Sequence, residues 1–238
     1  MSSGTLPASV RSFLPDLNVP SLGAPAEEAL RRLYSDLVDA NRTTNLTRIT
    51  DWTDFCIRHV ADSLSVLQVL PELAAPEPGI RIADVGCGAG FPMLPLLCLR
   101  PELPIMGVES RARKAAFVRQ EIELLGFPSA RCEHARAREF ARIAQWRGTF
   151  NAVLLRAVGS AAENLKECRL LVNHGGTIIC YKTPNAVKTE WDDATREARR
   201  HGFSVECSQP FELPEGQGAR QFLLFRQADC TRVPDSME

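Results

Sequence analysis

The chain is predicted to fold as an α/β protein in which a mostly parallel, seven-stranded sheet follows an N-terminal helical extension. Strand-like and helix-like apolar segments alternate after Gly79, as they do in doubly wound sheets. A glycine-rich turn joins the first strand to a helix, which is typical of nucleotide-binding sheets. Two late strand-like segments flank a turn with Gly216 and Gly218, so the last strand is expected to run antiparallel. The expected strands are 80–85, 104–109, 129–133, 151–156, 176–182, 203–212 and 220–227.

Three regions differ in composition. Residues 1–78 are expected to form a lead-in and a helical cap; the lead-in, 1–25, is rich in Pro, Ser and Gly and is predicted to be loose. Leucines at helical spacing predict the first helix of the cap over 25–40. Residues 79–228 form the predicted ligand-binding domain, and residues 229–238 are expected to be a flexible tail.

The bulk composition argues against several classes of protein. The chain has 238 residues, 45% of them hydrophobic, and a net charge of −1, so it lacks the overall basic charge of many nucleic-acid binders. No apolar run is long enough to span a bilayer and no signal-peptide pattern is present, so a cytoplasmic protein without membrane contacts is expected. None of the 8 cysteines forms a C-x-x-C pair, so no metal site is expected.

The glycine-rich turn carries the main functional signal. Gly86, Gly88 and Gly90 give the spacing G-x-G-x-G, which is shorter than the dinucleotide-binding form and typical of methyltransferases that bind S-adenosylmethionine (SAM). The next predicted strand ends at Glu109, where a carboxylate can bind a ribose. A SAM-binding turn is therefore predicted. The alternatives are a tight turn without a ligand and a nicotinamide-dependent oxidoreductase, which the glycine spacing and the antiparallel ending disfavour.

Segments outside this turn narrow the class further. They include Asn45-Leu46-Thr47, His59-Val60-Ala61-Asp62-Ser63-Leu64, Arg156-Ala157-Val158 and Lys182. In order and spacing, over residues 28–226, the chain resembles the RsmG/GidB family of bacterial methyltransferases. The resemblance implies a Rossmann-like, class I SAM-dependent methyltransferase that methylates N7 of a guanine in the decoding-region loop of 16S ribosomal RNA. The implied partner is 16S rRNA or the small ribosomal subunit, and the chain is expected to act as a monomer.

The resemblance also assigns residues to the site. The implied cofactor-binding residues are Gly86, Gly88, Gly90, Phe91, Glu109, Ser110, Arg111, Ala137, Arg138 and Arg156. The implied catalytic residues, which would receive the guanine, are Arg156, Asn45, His59, Asp62 and Lys182. Three features depart from the family pattern. Glu109 stands where Asp is frequent, Arg138 stands where an acidic residue is common, and the tail is not basic.

The reaction implied by this resemblance needs no general base, because guanine N7 has a lone pair and carries no proton. The enzyme mainly has to align the reacting atoms. Each catalytic candidate also has a structural interpretation: a His59–Asp62 pair, a capping role for Asn45, an ion pair for Arg156 and a solvated Lys182. A SAM-dependent enzyme with a small-molecule substrate and a non-catalytic SAM- or RNA-binding module remain the alternative functions.

Overall fold

One mixed sheet lies at the centre of the computed structural model, which describes residues 4–19, 21–74 and 79–227. Its strands are Ile82–Val85 (β1), Ile105–Glu109 (β2), Arg131–His134 (β3), Phe150–Arg156 (β4), Val172–Lys182 (β5), Phe203–Cys207 (β6), Phe211–Glu212 (β7) and Ala219–Gln227 (β8). The order is β3-β2-β1-β4-β5-β8-β6, and β7 pairs with β8 outside this path. β1 to β5 pair in parallel, whereas β8 is antiparallel to both β5 and β6. The expected sheet with an antiparallel last strand is confirmed.

The described residues contain one strand more than predicted, because the segment expected as a single strand over 203–212 is divided into β6 and β7. Between them the Ser208 hydroxyl accepts a hydrogen bond from the Phe222 amide at 3.0 Å. Pro210 follows and has no N–H group to donate to the ladder. The side-chain contact and the proline together interrupt the strand before β7 resumes pairing with β8.

Helices cover both faces of the sheet. They are Ala8–Phe13 (α1), Ala24–Thr44 (α2), Trp52–Phe55 (α3), Asp62–Leu64 (α4), Met93–Leu99 (α5), Ala112–Leu124 (α6), Ala137–Phe140 (α7), Ala161–Cys168 (α8) and Pro184–His201 (α9), with a π-helical turn, Cys56–Ala61, between α3 and α4. Successive residues of β1 belong to different cores: Ile82 packs with the N-terminal helices, α5 and α6, whereas Ala83 packs with α8 and α9. Within the described part of the chain, no helix is long and apolar enough to cross a membrane.

The N-terminal segment corrects one prediction. Residues 8–17, expected as part of a loose lead-in, form α1 and a 3₁₀ turn instead. Val10, Leu14 and Leu17 are buried in the same core as α2. These apolar residues recur at intervals of three and four, so a helical pattern is present within a Pro- and Ser-rich context. Burial of this stripe outweighs the composition of the segment.

The first helix of the predicted cap is also longer than expected. α2 continues to Thr44 instead of ending at residue 40, and Asn45 follows in the left-handed conformation with φ of 50°. Asn is one of the residues that adopt this conformation at a helix C-terminus, so the capping interpretation of Asn45 is confirmed. The end of the predicted cap, 75–78, and the predicted tail, 229–238, lie outside the described residues.

Candidate functional site

The three glycines of the turn between β1 and α5 all have positive φ, but they have different surroundings. A Cβ atom on Gly86 would lie 2.5 Å from Val158 Cγ2, and one on Gly90 would lie 2.2 Å from Leu94 Cδ1. These two positions need glycine because the protein fills the space beside them. A Cβ on Gly88 would meet nothing closer than 3.9 Å, so this part of the turn is open to a ligand.

Glu109 joins the turn to the end of β2. Its Oε2 accepts a hydrogen bond from the Gly88 amide at 2.8 Å, and its Oε1 accepts one from the Arg111 amide at 2.7 Å. The buried carboxylate therefore holds the open part of the turn against the strand end. Its contact with a ribose stays a prediction.

Asp84, which precedes the turn, was not among the predicted site residues. It is fully buried, and its Oδ2 accepts a hydrogen bond from the Met93 amide at 3.0 Å. The other oxygen has no hydrogen-bond partner among the described residues. Burial raises the pKa of Asp84 to about 7. Its place in the apolar run of β1, two residues before Gly86, is the sequence signal for a buried acid that orients the turn.

A cleft of about 490 Å³, the candidate cofactor cleft, opens beside the turn, between the ends of β1 and β2. Four of the predicted cofactor residues line it: Gly86, Ser110, Arg111 and Ala137. Open α/β sheets bind their ligands at this edge, outside the carboxyl ends of the strands. The cleft therefore lies where this fold class binds its ligands, and Gly88 leaves open backbone in the turn beside it.

The other six predicted cofactor residues do not line this cleft: Gly88, Gly90 and Glu109 belong to the turn and its strand end, Arg156 lines a second cleft, and Arg138 and Phe91 lie elsewhere. Arg138 is exposed and lines a separate groove between α7, α8 and α9, whereas its neighbour Ala137 lines the cofactor cleft. Consecutive helical residues point about 100° apart, so one of the two is turned away. Phe91 is buried and stacks on His59, with ring centroids 4.0 Å apart. Arg136, which the site prediction omitted, lines the cofactor cleft.

A second cleft, of about 600 Å³, adjoins the first at Val158, which lines both. It brings together four of the five predicted catalytic residues: His59, Asp62, Arg156 and Lys182. The fifth, Asn45, is exposed at the end of α2 and does not line this cleft. The second cleft is therefore formed by helical-cap residues on one side and by the ends of β4 and β5 on the other.

Asp62 is the centre of an ionic network in this cleft. Its Oδ2 accepts hydrogen bonds from Arg156 Nε and Nη2 at 2.8 and 2.6 Å, and its Oδ1 accepts one from Arg220 Nε at 2.9 Å. The Asp62 side chain is only 3% exposed, so the two arginines neutralise a buried carboxylate. The expected His59–Asp62 pair does not form. Arg220 is not among the predicted site residues, because its large separation from Asp62 along the chain leaves no local signal.

His59 is a buried, neutral residue of the π-helical turn. Its Nε2 lies 3.0 Å from the Thr47 hydroxyl, and its Nδ1 has no hydrogen-bond partner among the described residues. Burial, with further contributions from Arg156 and Arg58, lowers the pKa of His59 to about 3. Thr47 thus connects the loop after Asn45 to the second cleft.

Lys182 is not the solvated lysine of the structural interpretation. Its side chain is 8% exposed, and its Nζ binds the Gly159 carbonyl at 2.9 Å and the Glu190 carboxylate at 2.9 Å. Glu190 also accepts a hydrogen bond from the Ala161 amide at 2.6 Å. This pair ties α9 to the start of α8 and to the loop that follows Arg156.

Solved structures of methyltransferases resemble this fold. A SAM-dependent O-methyltransferase from Thermotoga maritima matches with a TM-score of 0.53 and 16% identity, covering 82% of this chain and 72% of that one. The magnesium protoporphyrin IX methyltransferase of Synechocystis, solved with bound SAM, matches with a TM-score of 0.55 and 15% identity, covering 82% and 97%. With the strand order and the glycine turn, this likeness defines the fold as that of the class I SAM-dependent methyltransferases.

Sequence comparison is more specific. The family model of rRNA small subunit methyltransferase G matches residues 26–215. The ribosomal RNA small subunit methyltransferase G of Lactobacillus delbrueckii subsp. bulgaricus is 32% identical over 205 residues, which are 86% of this chain and 84% of that protein. The protein of the same name from a Synechococcus species is 34% identical over 216 residues, 87% of this chain and 80% of its own. The chain belongs to the rRNA small subunit methyltransferase G family.

Proposed function

We propose that this protein transfers the methyl group of SAM to N7 of a guanine in 16S rRNA, in the free RNA or in the small ribosomal subunit. Membership of the family supports the reaction and the class of RNA. The choice of N7 as the methylated atom rests on the hydrogen bonding and protonation of the groups that line the second cleft.

These groups suit a nucleophile that brings its own lone pair. Both oxygens of Asp62 are bound by arginines, and Glu190 is bound by Lys182 and a backbone amide. His59 is neutral with a pKa lowered to about 3, which makes it a weak base. The described lining thus offers no group poised to remove a proton, and guanine N7 requires none. Nucleophiles that must lose a proton, such as exocyclic amines, fit this site less well because they need a base.

SAM supplies an electrophilic sulfonium methyl group when it is bound. The residues that would hold it are those of the Gly86–Gly90 turn, with Ser110, Arg111 and Ala137 in the cofactor cleft and Glu109 beside it. Because Val158 lines both clefts, we place the meeting point of guanine and cofactor there. Alignment of the two bound molecules at this junction is then the main source of rate enhancement.

Arg156 is the proposed contact for the guanine. Its Nε and Nη2 atoms are engaged by Asp62, which fixes the plane of the guanidinium group. Nη1 has no hydrogen bond among the described residues and lies in a side chain that lines the cleft. Arginine donors match the O6 and N7 acceptors of guanine or a phosphate. We assign Lys182 a positioning role through the loop after Arg156, since its Nζ is already bound to Gly159 and Glu190.

Exposed arginines around the cofactor cleft support an RNA substrate. Arg111 and Arg136 line this cleft, Arg138 lines the separate groove that shares Glu167 with it, and none of the three arginines has a carboxylate partner among the described residues. Phosphate contacts dominate affinity for nucleic acids. A local cluster of unpaired cations therefore permits RNA binding although the net charge of the chain is −1.

The test uses labelled SAM and small ribosomal subunits from cells that lack the activity. The methylated base is mapped by chemical cleavage specific for N7-methylguanine. We expect label at one guanine of the decoding-region loop; Arg156→Gln should lose it, and Arg147→Gln, on the exposed surface, should retain it. Label on rRNA without such cleavage would reject N7, and binding of SAM without any transfer to rRNA would reject the RNA substrate.

A further inference from the structure

Lys114 is a half-buried lysine that belongs neither to the ionic network of Asp62 nor to the arginines proposed to bind RNA. It lies in the first turn of α6, and its Nζ is 4.0 Å from the place that a Cβ atom on Gly88 would occupy. Its ammonium group makes no hydrogen bond or ion pair among the described residues. Lys182, by contrast, pairs with Glu190. A partly buried cation without a partner is unfavourable, so a bound anion would stabilise the ammonium group at this position.

The space next to Lys114 is the open part of the glycine turn. Gly88 has φ of +59°, and apart from Lys114 Nζ the nearest atom to a Cβ there is the Gly86 carbonyl oxygen at 3.9 Å. Beside Gly86 and Gly90 the corresponding space is filled by Val158 and Leu94. Of the three glycines in the turn, Gly88 is thus the one that leaves room for a ligand, and the unpaired ammonium group of Lys114 lies beside that space.

From this juxtaposition we infer that Lys114 binds the α-carboxylate of the methionine part of SAM. The inference rests on the proposed function, in which the Gly86–Gly90 turn holds SAM. SAM carries one anionic group, the α-carboxylate, whereas its sulfonium and α-ammonium groups are cations that a lysine repels. The ion pair would be partly shielded from water, where a charge-assisted contact contributes more than on the surface.

Binding measurements with two ligands isolate this contact. S-adenosylhomocysteine has the carboxylate, and 5′-methylthioadenosine has the same adenosine and sulfur but no amino-acid part. Their dissociation constants are measured by calorimetry for the wild-type chain, Lys114→Met, Lys114→Arg and Arg113→Met. Arg113 is the matched control, because it is the adjacent exposed cation of α6 and lines a different groove. Circular dichroism verifies that each variant is folded.

Lys114→Met should weaken S-adenosylhomocysteine binding roughly tenfold or more and leave 5′-methylthioadenosine binding unchanged. Lys114→Arg should retain much of the affinity, and Arg113→Met should change neither constant. Unchanged S-adenosylhomocysteine affinity in Lys114→Met would overturn the inference, and weaker binding of a 16S rRNA fragment by that variant would then make Lys114 a phosphate contact. Equal losses for both ligands would also overturn it, since they would show an effect on the turn. Failure of the wild-type chain to bind either ligand would instead reject the proposed function.

Discussion

Removal of the Asp62 carboxylate should destabilise the protein and should do so through the two arginines that it binds. Asp62→Ala deletes the acceptor of three hydrogen bonds, of 2.8, 2.6 and 2.9 Å, and leaves two guanidinium groups without a counter-charge. Breaking a buried ion pair by removing one partner costs about 3–5 kcal/mol. The side chains of Arg156 and Arg220 are 16% and 23% exposed, so water hydrates them in part. We therefore expect a loss of about 3 kcal/mol, at the lower end of that range.

Loss of either arginine should cost less, because the other still neutralises Asp62. Arg220→Met removes one charge-assisted hydrogen bond to the carboxylate and should reduce the unfolding free energy by about 1.5–3 kcal/mol. In the double variant Asp62→Ala with Arg156→Met, one orphaned cation is gone. Its cost should fall below the sum of the two single costs by about 1–2 kcal/mol.

Urea unfolding followed by circular dichroism measures these values, with the midpoint and slope fitted for each variant. Arg147→Met, an exposed arginine outside the network, serves as the control. Additivity of Asp62→Ala and Arg156→Met within about 0.5 kcal/mol would refute the coupling read from the geometry. It would show that the two groups do not interact in solution.

Other variants test the turn and its buried titratable neighbours. Gly90→Ala should cost about 2–4 kcal/mol in urea unfolding because its Cβ would lie 2.2 Å from Leu94, whereas Gly88→Ala should cost about 1 kcal/mol and mainly weaken S-adenosylhomocysteine binding in calorimetry. Equal losses of stability would contradict this difference. The pKa of Asp84 is raised from 3.8 to about 7. The stability that its bound proton adds is therefore fully present below pH 3.8 and is lost as the pH rises towards 7. In urea unfolding, the stability of Asp84→Asn relative to the wild type should therefore rise over this pH interval. A difference that does not depend on pH would disprove the shift. The pKa of His59 is lowered to about 3, so the wild type should lose stability as the pH falls from 6.5 towards 3. His59→Phe should lack this loss, and an unchanged acid limb would contradict the buried neutral histidine.

Local pattern was sufficient for most of the fold. The alternation of strand and helix, the glycine turn after β1 and the antiparallel ending follow from short-range periodicity and turn residues, and all three are present. In the segment of α1 and the 3₁₀ turn that follows it, the helical spacing of Val10, Leu14 and Leu17 competes with a Pro- and Ser-rich composition that predicts a loop. The break between β6 and β7 depends on a side-chain contact with β8, which no local pattern contains.

For the site, the residue types and the strand ends that carry them follow from the amino-acid sequence, including the turn, Glu109 and Arg156. Which of these groups meet depends on the packing of the folded chain. This packing joins Asp62 to Arg156 and Arg220, and it turns Arg138 away from the cofactor cleft. The physical reason is that a charge pair between distant segments depends on how strands and helices pack, whereas hydrophobic period and turn preference act between near neighbours.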